Sequence, residues 1–334
     1  MKAVFRVAFD KDPRKSLLWK EDAPIPAITK PSQVRIKVMA IAANPADDKL
    51  NSGMMPILPG LLGKAIGSDV AGVVDQVGDD AKADFQVGDR VFGCTGMEVG
   101  SFAEFVVAEK AKFEHVPAKA SFEEAAALPL AGCTALDVAK LVKKGDTVAV
   151  RGASGGIGAM LTQLLVNRGA HVIAISSRVQ LCQQLGAHEV IDYKAASWPD
   201  RLAGRNLDVF VDLVGGDECW FASHAALKPR GQFITVAGNF GDGLTVFGVL
   251  QLLGAAIYRF VAHRLTSAPS YQLTFSTESK EKIGELAAMI EQGTLRAVLD
   301  PACPLPSFTF DNVVLMMQRM KLGDAQGKIV CRVN

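Results

Sequence analysis

A glycine-rich segment carries the strongest chemical signal in this chain. Residues 150–158 are V-R-G-A-S-G-G-I-G. They follow a short apolar segment typical of a buried strand, and they open a segment with apolar residues at helical spacing. Pyrophosphate is bulky and anionic, so backbone N–H groups at a helix N-terminus must approach it closely, which requires residues without Cβ. The pattern therefore predicts a cradle for a dinucleotide.

Each glycine of this cradle has an expected task. Gly152 makes the tight turn, Gly155 and Gly156 allow the close approach, and Gly158 lets the helix pack on the strand. The alternative is a tight turn that binds nothing. The succession of strand, turn, helix and next strand within about 30 residues favours binding. The predicted phosphate-binding residues are Gly152, Ala153, Ser154, Gly155, Gly156, Ile157 and Gly158.

The end of the second predicted strand indicates which dinucleotide is bound. A carboxylate at this position is typical of NAD sites, whereas this chain has Ser176, Ser177 and Arg178. Two hydroxyls and a guanidinium are suited to a 2′-phosphate, which an acid would repel. Tyr193 and Lys194, after the third strand, could close over the same phosphate or over the adenine. These residues predict NADPH as the cofactor, and the alternative is a solvated polar turn.

The elements that must position this cradle alternate between strand and helix. Short apolar strands are predicted at 147–151, 172–175, 190–191, 209–211, 233–236 and 273–275. Helical segments separate the first three of them. This alternation predicts a parallel sheet with helices on both faces, and six strands fill a doubly wound dinucleotide fold.

The first 120 residues or so have a different character. Residues 34–38 alternate apolar and charged side chains, and glycines separate several further short strands. A capping box at 121–124 marks the change to alternating elements. After residue 276 the dinucleotide pattern ends. We therefore predict one β-rich domain from residues 1–122 and 277–334, and a nucleotide-binding domain from 123–276.

Composition excludes several classes of protein. The 334 residues carry 36 Lys and Arg against 35 Asp and Glu, so no global field favours nucleic acid as a partner. None of the six cysteines forms a C-x-x-C pair, and no Cys-His spacing indicates zinc. Unpaired thiols and an N-terminus without an apolar signal region predict a cytoplasmic protein, with an organelle left open.

Further motifs resemble the medium-chain dehydrogenase/reductase superfamily. They are N-P-x-D at 44–47, G-S-D-V-A-G-V-V at 67–74, V-G-D-R-V at 87–91, G-S-F-A-E-F at 100–105, A-A-x-L-P-L-A-G-x-T-A at 125–135 and G-K-I-V at 327–330. The chain is most similar to the zinc-independent quinone oxidoreductases of the reticulon-4-interacting and chloroplast-envelope type. This resemblance implies an α/β protein with a GroES-like catalytic domain and a Rossmann NADP-binding domain.

The resemblance also implies an active-site entrance at Asn44, Asp47 and Lys49. Asn44 could donate a hydrogen bond to a carbonyl or to the nicotinamide ribose. Lys49 could stabilise a developing oxygen anion. Asp47 is expected to orient Lys49. The alternative is a plain Asn-Pro turn with acidic neighbours.

Three further cofactor contacts are expected, two of them, at Thr134 and Lys328, from the resemblance. Thr134 is expected to face the nicotinamide, with a helix N-cap as its alternative role. Asn239 follows the fifth strand at the carboxyl edge of the sheet, where the nicotinamide end of the cofactor is expected. Lys328 matches the family's C-terminal cofactor contact, with a solvated lysine as the alternative.

Zinc-dependent relatives differ from this chain at their metal ligands. Asn44 stands near the first ligand, Ser68 and Asp69 replace His-Glu, and Leu130 occupies a third ligand position. No metal site is therefore predicted, because zinc needs converging nitrogen or sulfur donors. Cys133 is interpreted as a small core residue.

The expected reaction is hydride transfer from NADPH to a small lipophilic quinone or α,β-unsaturated carbonyl. Two alternatives stay open: a 2-enoyl thioester reductase, and a non-enzymatic NADPH-binding interaction protein. Residues 244–262 form a nearly apolar segment that could line the substrate site, pack in a dimer or touch a membrane surface. The resemblance also implies a homodimer.

Overall fold

The computed structural model describes residues 1–53, 60–237, 254, 264, 266–303 and 305–333. Contacts between residues divide the chain into two compact units. The first is Met1–Cys133 together with Thr277–Asn334, and the second is Thr134–Ser276. The first unit is therefore built from two separate stretches of chain. Its first boundary lies after residue 133, where the sequence suggested 122.

The described residues contain fourteen strands. In chain order they are β1 (Ala3–Arg6), β2 (Leu17–Lys20), β3 (Gln33–Ala42), β4 (Asp69–Val77), β5 (Arg90–Cys94), β6 (Phe105–Glu109), β7 (Phe113–His115), β8 (Thr147–Arg151), β9 (His171–Ile175), β10 (Glu189–Ile191), β11 (Leu207–Asp212), β12 (Leu227–Thr235), β13 (Ser270–Leu273) and β14 (Val330–Arg332).

Ten α-helices lie within the same ranges. They are α1 (Pro13–Ser16), α2 (Pro45–Asn51), α3 (Phe122–Ala126), α4 (Pro129–Lys140), α5 (Gly156–Asn167), α6 (Val179–Gln184), α7 (Trp198–Leu202), α8 (Asp217–Ser223), α9 (Lys280–Gln292) and α10 (Phe310–Leu322). No helix of the described part combines the length and apolar character needed to cross a membrane.

The first unit is organised around an antiparallel sheet in the order β14-β3-β4-β5-β7, with β6 also paired to β3. The alternation predicted for residues 34–38 is confirmed: Val34, Ile36 and Val38 are buried, whereas Lys37 is exposed. The C-terminal strand β14 pairs with β3. The last segment of the chain therefore completes the sheet that the first segment begins.

The second unit contains a parallel sheet in the order β10-β9-β8-β11-β12-β13. This is the predicted doubly wound arrangement, and the strand order reverses between β8 and β11. The crevice beyond the carboxyl ends of the strands at this reversal is where such sheets bind ligands.

The predicted last strand of this sheet, 273–275, begins three residues and ends two residues too late. Strand β13 ends at Leu273, and Phe275 lies beyond it, 68% exposed. The strand is anchored by Tyr271, whose ring stacks on Phe233 with 5.6 Å between centroids and meets Trp220 edge-on. Aromatic contacts fix this register, and a hydrophobic pattern read along one strand does not reveal them.

Candidate functional site

The glycine-rich segment forms a turn that leads directly from β8 into α5. Gly152 has φ of +84°, a left-handed conformation that favours glycine. The Gly155 N–H donates to the Gly152 carbonyl at 3.1 Å and closes the turn. Helix α5 begins at the next residue, Gly156. Strand, turn and helix therefore have the predicted order.

Two glycines of this turn have different surroundings. A Cβ at Gly158 would lie 2.1 Å from the Gly152 carbonyl oxygen and 2.7 Å from the Cα of Ala153, so the fold itself demands glycine. A Cβ at Gly155 would meet only the Gly152 oxygen, at an ordinary 3.5 Å. Among the described residues, nothing would clash with a Cβ at Gly155, so packing alone does not require glycine there.

The start of α5 is suited to an anion. Gly155, its N-cap, has no side chain to accept from the first backbone N–H groups. The first helical hydrogen bond runs from the Ala159 N–H to the Gly155 carbonyl. In the described part of the chain, the N–H groups at the start of the helix, before Ala159, have no such partner within the turn. Unsatisfied N–H groups and the helix dipole both favour negative charge at this end. These residues fit the pyrophosphate of a dinucleotide.

The predicted 2′-phosphate residues lie together at the end of β9. Ser176 is buried, donates to Ser154 Oγ at 2.8 Å and accepts from the Arg178 N–H at 3.0 Å. Arg178 is exposed at the N-cap of α6. The hydroxyl oxygens of Ser177 and Tyr193 lie 3.5 Å apart. The structure therefore places Tyr193 beside Ser177 and the Arg178 backbone beside Ser176, at the strand end that the sequence assigned to one phosphate.

The sequence analysis missed an ion pair that joins the carboxyl ends of β8 and β11, next to the glycine-rich turn. Arg151 ends β8 and donates to Asp212 Oδ1 at 3.1 Å and to the Gly215 carbonyl at 2.8 Å. Asp212 ends β11 and also accepts from the Val214 and Gly215 N–H groups. Burial raises the pKa of Asp212. The sequence did contain a signal for this pair, because two buried strands, β8 and β11, each end in a charged residue of opposite sign.

In the first unit, Asn44 and Asp47 lie at the start of α2. Asn44 is the N-cap, Pro45 is the first helical residue, and Asp47 Oδ2 accepts from the Asn44 N–H at 2.8 Å. The segment is thus a helix start and not the plain turn considered as an alternative. Asp47 is 3% exposed, and burial raises its pKa to about 7.

Lys328 forms the centre of a buried polar cluster. Its ammonium donates to the Ala43 carbonyl at 3.1 Å, to Asn44 Oδ1 at 2.6 Å and to Asp69 Oδ2 at 3.2 Å. Asp69 Oδ2 also accepts from Asn44 Nδ2 at 2.9 Å, and its Oδ1 accepts from the Leu130 N–H at 3.0 Å. Lys328 is only 4% exposed, so the alternative of a solvated lysine is wrong.

The remaining predicted residues are more scattered. Lys49 lies in α2, half-buried, and burial lowers its pKa. Thr134 is buried inside α4, five residues after its first residue, so the alternative helix-cap role is wrong. Asn239 lies outside the described residues, as does the apolar segment 244–262 apart from position 254. Their predicted roles stay predictions.

Arg6 is a second residue that the sequence analysis missed. It is 2% exposed, and its Nε donates to Asn51 Oδ1 at 2.8 Å, which ties β1 to the end of α2. Burial lowers its pKa. An arginine in a short strand gives no sequence signal of this kind, because such residues are usually exposed.

The residues of the Lys328 cluster do not fit a zinc ion. Asn44, Asp69 and Leu130 lie in the segments where zinc-dependent relatives carry ligands, and they do converge, but they offer no sulfur or imidazole donor. The Lys328 ammonium already donates to the two side-chain oxygens that a cation would need. Within the described ranges, no group of three or more His, Cys, Asp or Glu side chains is placed to hold a metal.

Cys133 is fully buried in α4, as its interpretation as a core residue requires. Burial raises the pKa of its thiol to about 12, so the thiolate is scarce near neutral pH.

Comparison with family models shows two matches. Residues 30–118 match the alcohol dehydrogenase GroES-like domain, and residues 185–331 match a model described as zinc-binding dehydrogenase. The mitochondrial NAD(P)H oxidoreductase RTN4IP1 of Mus musculus is 30% identical over 95% of this chain and 86% of its own length. The 2-methylene-furan-3-one reductase of Solanum lycopersicum is 31% identical over 94% of this chain and 75% of its own length.

Solved structures agree with these matches. The quinone oxidoreductase of Coxiella burnetii superposes with a TM-score of 0.82 at 27% identity, covering 100% of this chain and 99% of its own. A mycobacterial protein solved as a complex with NADPH superposes with a TM-score of 0.76 at 27% identity over 99% of both chains. The chain therefore belongs to the medium-chain dehydrogenase/reductase superfamily, in its quinone oxidoreductase-like branch, and is an oxidoreductase.

Proposed function

We propose that this protein transfers hydride from NADPH to quinones or α,β-unsaturated carbonyls without a metal ion. The observation that carries the choice of cofactor is the end of β9. Ser176, Ser177 and the exposed Arg178 occupy the place where an acid would select NADH. A guanidinium and hydroxyls offer charge-assisted hydrogen bonds to a 2′-phosphate.

Relatives support the proposed acceptors. One relative at 31% identity is named for the reduction of an exocyclic enone, a 2-methylene-furan-3-one. Another, from Sus scrofa, is named quinone oxidoreductase and is 29% identical over 86% of this chain. Both acceptors are conjugated and electron-poor, and both develop negative charge on an oxygen when hydride arrives at carbon or oxygen of the conjugated system.

The bound cofactor supplies the hydride, and the protein supplies positioning and electrostatics. The cradle at Gly152–Gly158 holds the phosphates. Asn44 has an N–H beyond the one that Asp69 accepts, and this N–H is the proposed donor to the acceptor oxygen. Lys49 is the proposed cation that stabilises the developing oxygen anion. Burial lowers the pKa of Lys49, so this residue is also suited to deliver a proton.

A panel assay tests the proposal. Consumption of NADPH is followed with a quinone, an enal, an exocyclic enone and a 2-enoyl thioester, and NADH is run in parallel. We expect turnover with the first three acceptors and a preference for NADPH. Turnover confined to the thioester would replace the proposal with an enoyl thioester reductase. Binding of NADPH with no consumption across the panel would identify a non-enzymatic NADPH-binding protein. A homodimer and a cytoplasmic location stay predictions of the sequence.

A further inference from the structure

The side chain of Asn44 is held by two charged residues whose hydrogen-bonding abilities differ. Lys328 carries an ammonium, which donates and never accepts, whereas an ionised Asp69 accepts and never donates. The ammonium lies 2.6 Å from one end of the Asn44 carboxamide, and the carboxylate lies 2.9 Å from the other end. All three residues are at most 4% exposed, so water does not substitute for either partner.

This arrangement determines which way the carboxamide points. The end that faces Lys328 must be the oxygen, and the end that faces Asp69 must be the nitrogen. A rotation of the amide by 180° would place N–H against the ammonium and the amide oxygen against the carboxylate. Both contacts would then be repulsive in an environment of low dielectric constant. The ion pair therefore fixes one of two nearly isosteric orientations.

One N–H of Asn44 remains after these contacts. The amide nitrogen carries two hydrogens, and Asp69 is its sole acceptor among the described residues. The second N–H is fixed in direction because the amide is planar and both of its ends are held. A fixed donor in a nearly dry site stabilises a developing oxygen anion without the cost of reorienting.

The two charged residues are themselves held by backbone contacts. Lys328 follows Gly327, where φ is +79° and a Cβ would lie 2.2 Å from the Val298 carbonyl oxygen. The Lys328 N–H donates to Val298, and its carbonyl accepts from the Asp300 N–H. Asp69 is the first residue of β4 and has no exposed surface. Backbone hydrogen bonds thus anchor Lys328, and both charged side chains are buried.

We propose that Lys328 and Asp69 are positioning residues, which fix the Asn44 carboxamide so that its second N–H donates to an oxygen of the acceptor. The inference rests on the proposed function for its kinetic consequence, but the orientation of the amide can be measured without turnover. It assigns Lys328 a task other than the direct cofactor contact that the sequence suggested, because all three ammonium hydrogens have protein acceptors.

The test uses a paired substitution. Lys328→Met alone would leave a buried, unpaired carboxylate, and loss of folding would then hide any positioning effect. The double variant Lys328→Met/Asp69→Asn keeps the cluster neutral and retains an acceptor for the Leu130 N–H. Its matched control is Lys82→Met/Asp79→Asn, the same two changes at an exposed ion pair of the same unit.

The first measurement is kcat with the acceptor, in a mutant cycle that combines the paired substitution with Asn44→Ala. We expect the paired substitution at Lys328 and Asp69 to lower kcat by on the order of tenfold or more, with the Kd of NADPH changed less than about twofold. In the Asn44→Ala background the same pair should change kcat by less than about twofold, because both act through one donor. Equal losses in the two backgrounds would overturn the proposal, and so would a large loss of NADPH affinity.

The side-chain amide of Asn44 gives the second readout. Its two ¹⁵N-bound proton signals are identified by their loss in Asn44→Ala. We expect slow solvent exchange of these protons in the wild-type protein and in the Lys82/Asp79 control, and exchange at least about tenfold faster in the Lys328/Asp69 variant. Unchanged exchange in that variant overturns the proposal. If the wild-type protein turns over no acceptor but the exchange result is as expected, the proposed function fails and the positioning stands.

Discussion

The hydroxyl of Ser176 donates to the hydroxyl of Ser154 at 2.8 Å. Ser154 belongs to the turn after β8, and Ser176 follows β9, so this bond joins the proposed pyrophosphate cradle to the proposed 2′-phosphate site. The Arg178 N–H donates to the same Ser176 oxygen. One buried hydroxyl therefore links the two segments that are proposed to bind the phosphate groups.

Replacement of Arg178 should change the choice of cofactor. Arg178→Ala removes the cation proposed to bind the 2′-phosphate, so we expect NADPH binding to weaken by ~1.5–3 kcal/mol, with little change for NADH. Fluorescence titration with each cofactor measures the difference. Arg205→Ala is the control, because Arg205 is an arginine of the same unit that pairs with Glu189. An equal loss for both cofactors at Arg178 would contradict the assignment.

Two glycine substitutions should separate folding from binding. Gly158→Ala places a Cβ 2.1 Å from a carbonyl oxygen, so we expect a loss of unfolding free energy of ~1–3 kcal/mol. Gly155→Ala meets ordinary contacts, so its unfolding free energy should change by less than about 1 kcal/mol. We expect Gly155→Ala nevertheless to weaken cofactor binding. Thermal unfolding and titration give the two numbers, and tight binding by Gly155→Ala would remove this residue from the cradle.

Lys49→Met should lower turnover while sparing NADPH binding. The substitution removes a half-buried ammonium whose pKa is lowered by burial, and it keeps most of the side-chain volume. We expect kcat to fall by on the order of tenfold or more with the Kd of NADPH unchanged. Lys37→Met, at an exposed position of β3, is the control. Full turnover by Lys49→Met would exclude this residue from the mechanism.

Asp47 should make stability depend on pH. Its pKa is about 7 in the folded chain against an ordinary 3.8, so the folded state holds its proton more strongly. The contribution of this group to the free energy of unfolding is fully present below about pH 4 and declines as the pH rises to about 7. Asp47→Asn keeps an acceptor for the Asn44 N–H and should flatten this decline. Urea unfolding of both proteins from pH 4 to 8 measures it, and parallel curves would refute the assignment.

The nucleotide-binding unit was largely predictable because its signals are local. A buried parallel strand is a short apolar run, and the turn after β8 must carry glycine at 152 and 158 for reasons that the backbone imposes. The alternation of strands and helices predicted the doubly wound parallel sheet, which the structure has. The late prediction of β13 arose because Tyr271 fixes that strand through side chains distant in sequence.

The cluster around Lys328 was not predictable from the residues alone. Asn44, Asp69 and Lys328 were each noticed as part of a motif, but nothing in a motif tells which polar side chains face each other. The contact between Lys328 and Asp69 spans 259 positions. Burial of Arg6 was missed for the same reason, because its partner Asn51 is supplied by another element.

The first unit is built from two segments of the chain, one before and one after the second unit. Strand β14 and Lys328 complete a sheet and a polar cluster whose other members precede residue 134. During synthesis, Asn44 and Asp69 leave the ribosome long before the ammonium that satisfies them. The contiguous nucleotide-binding unit has all of its strands by then. In the growing chain, the Asn44 amide therefore cannot gain both of its charged partners until the C-terminal segment has been made.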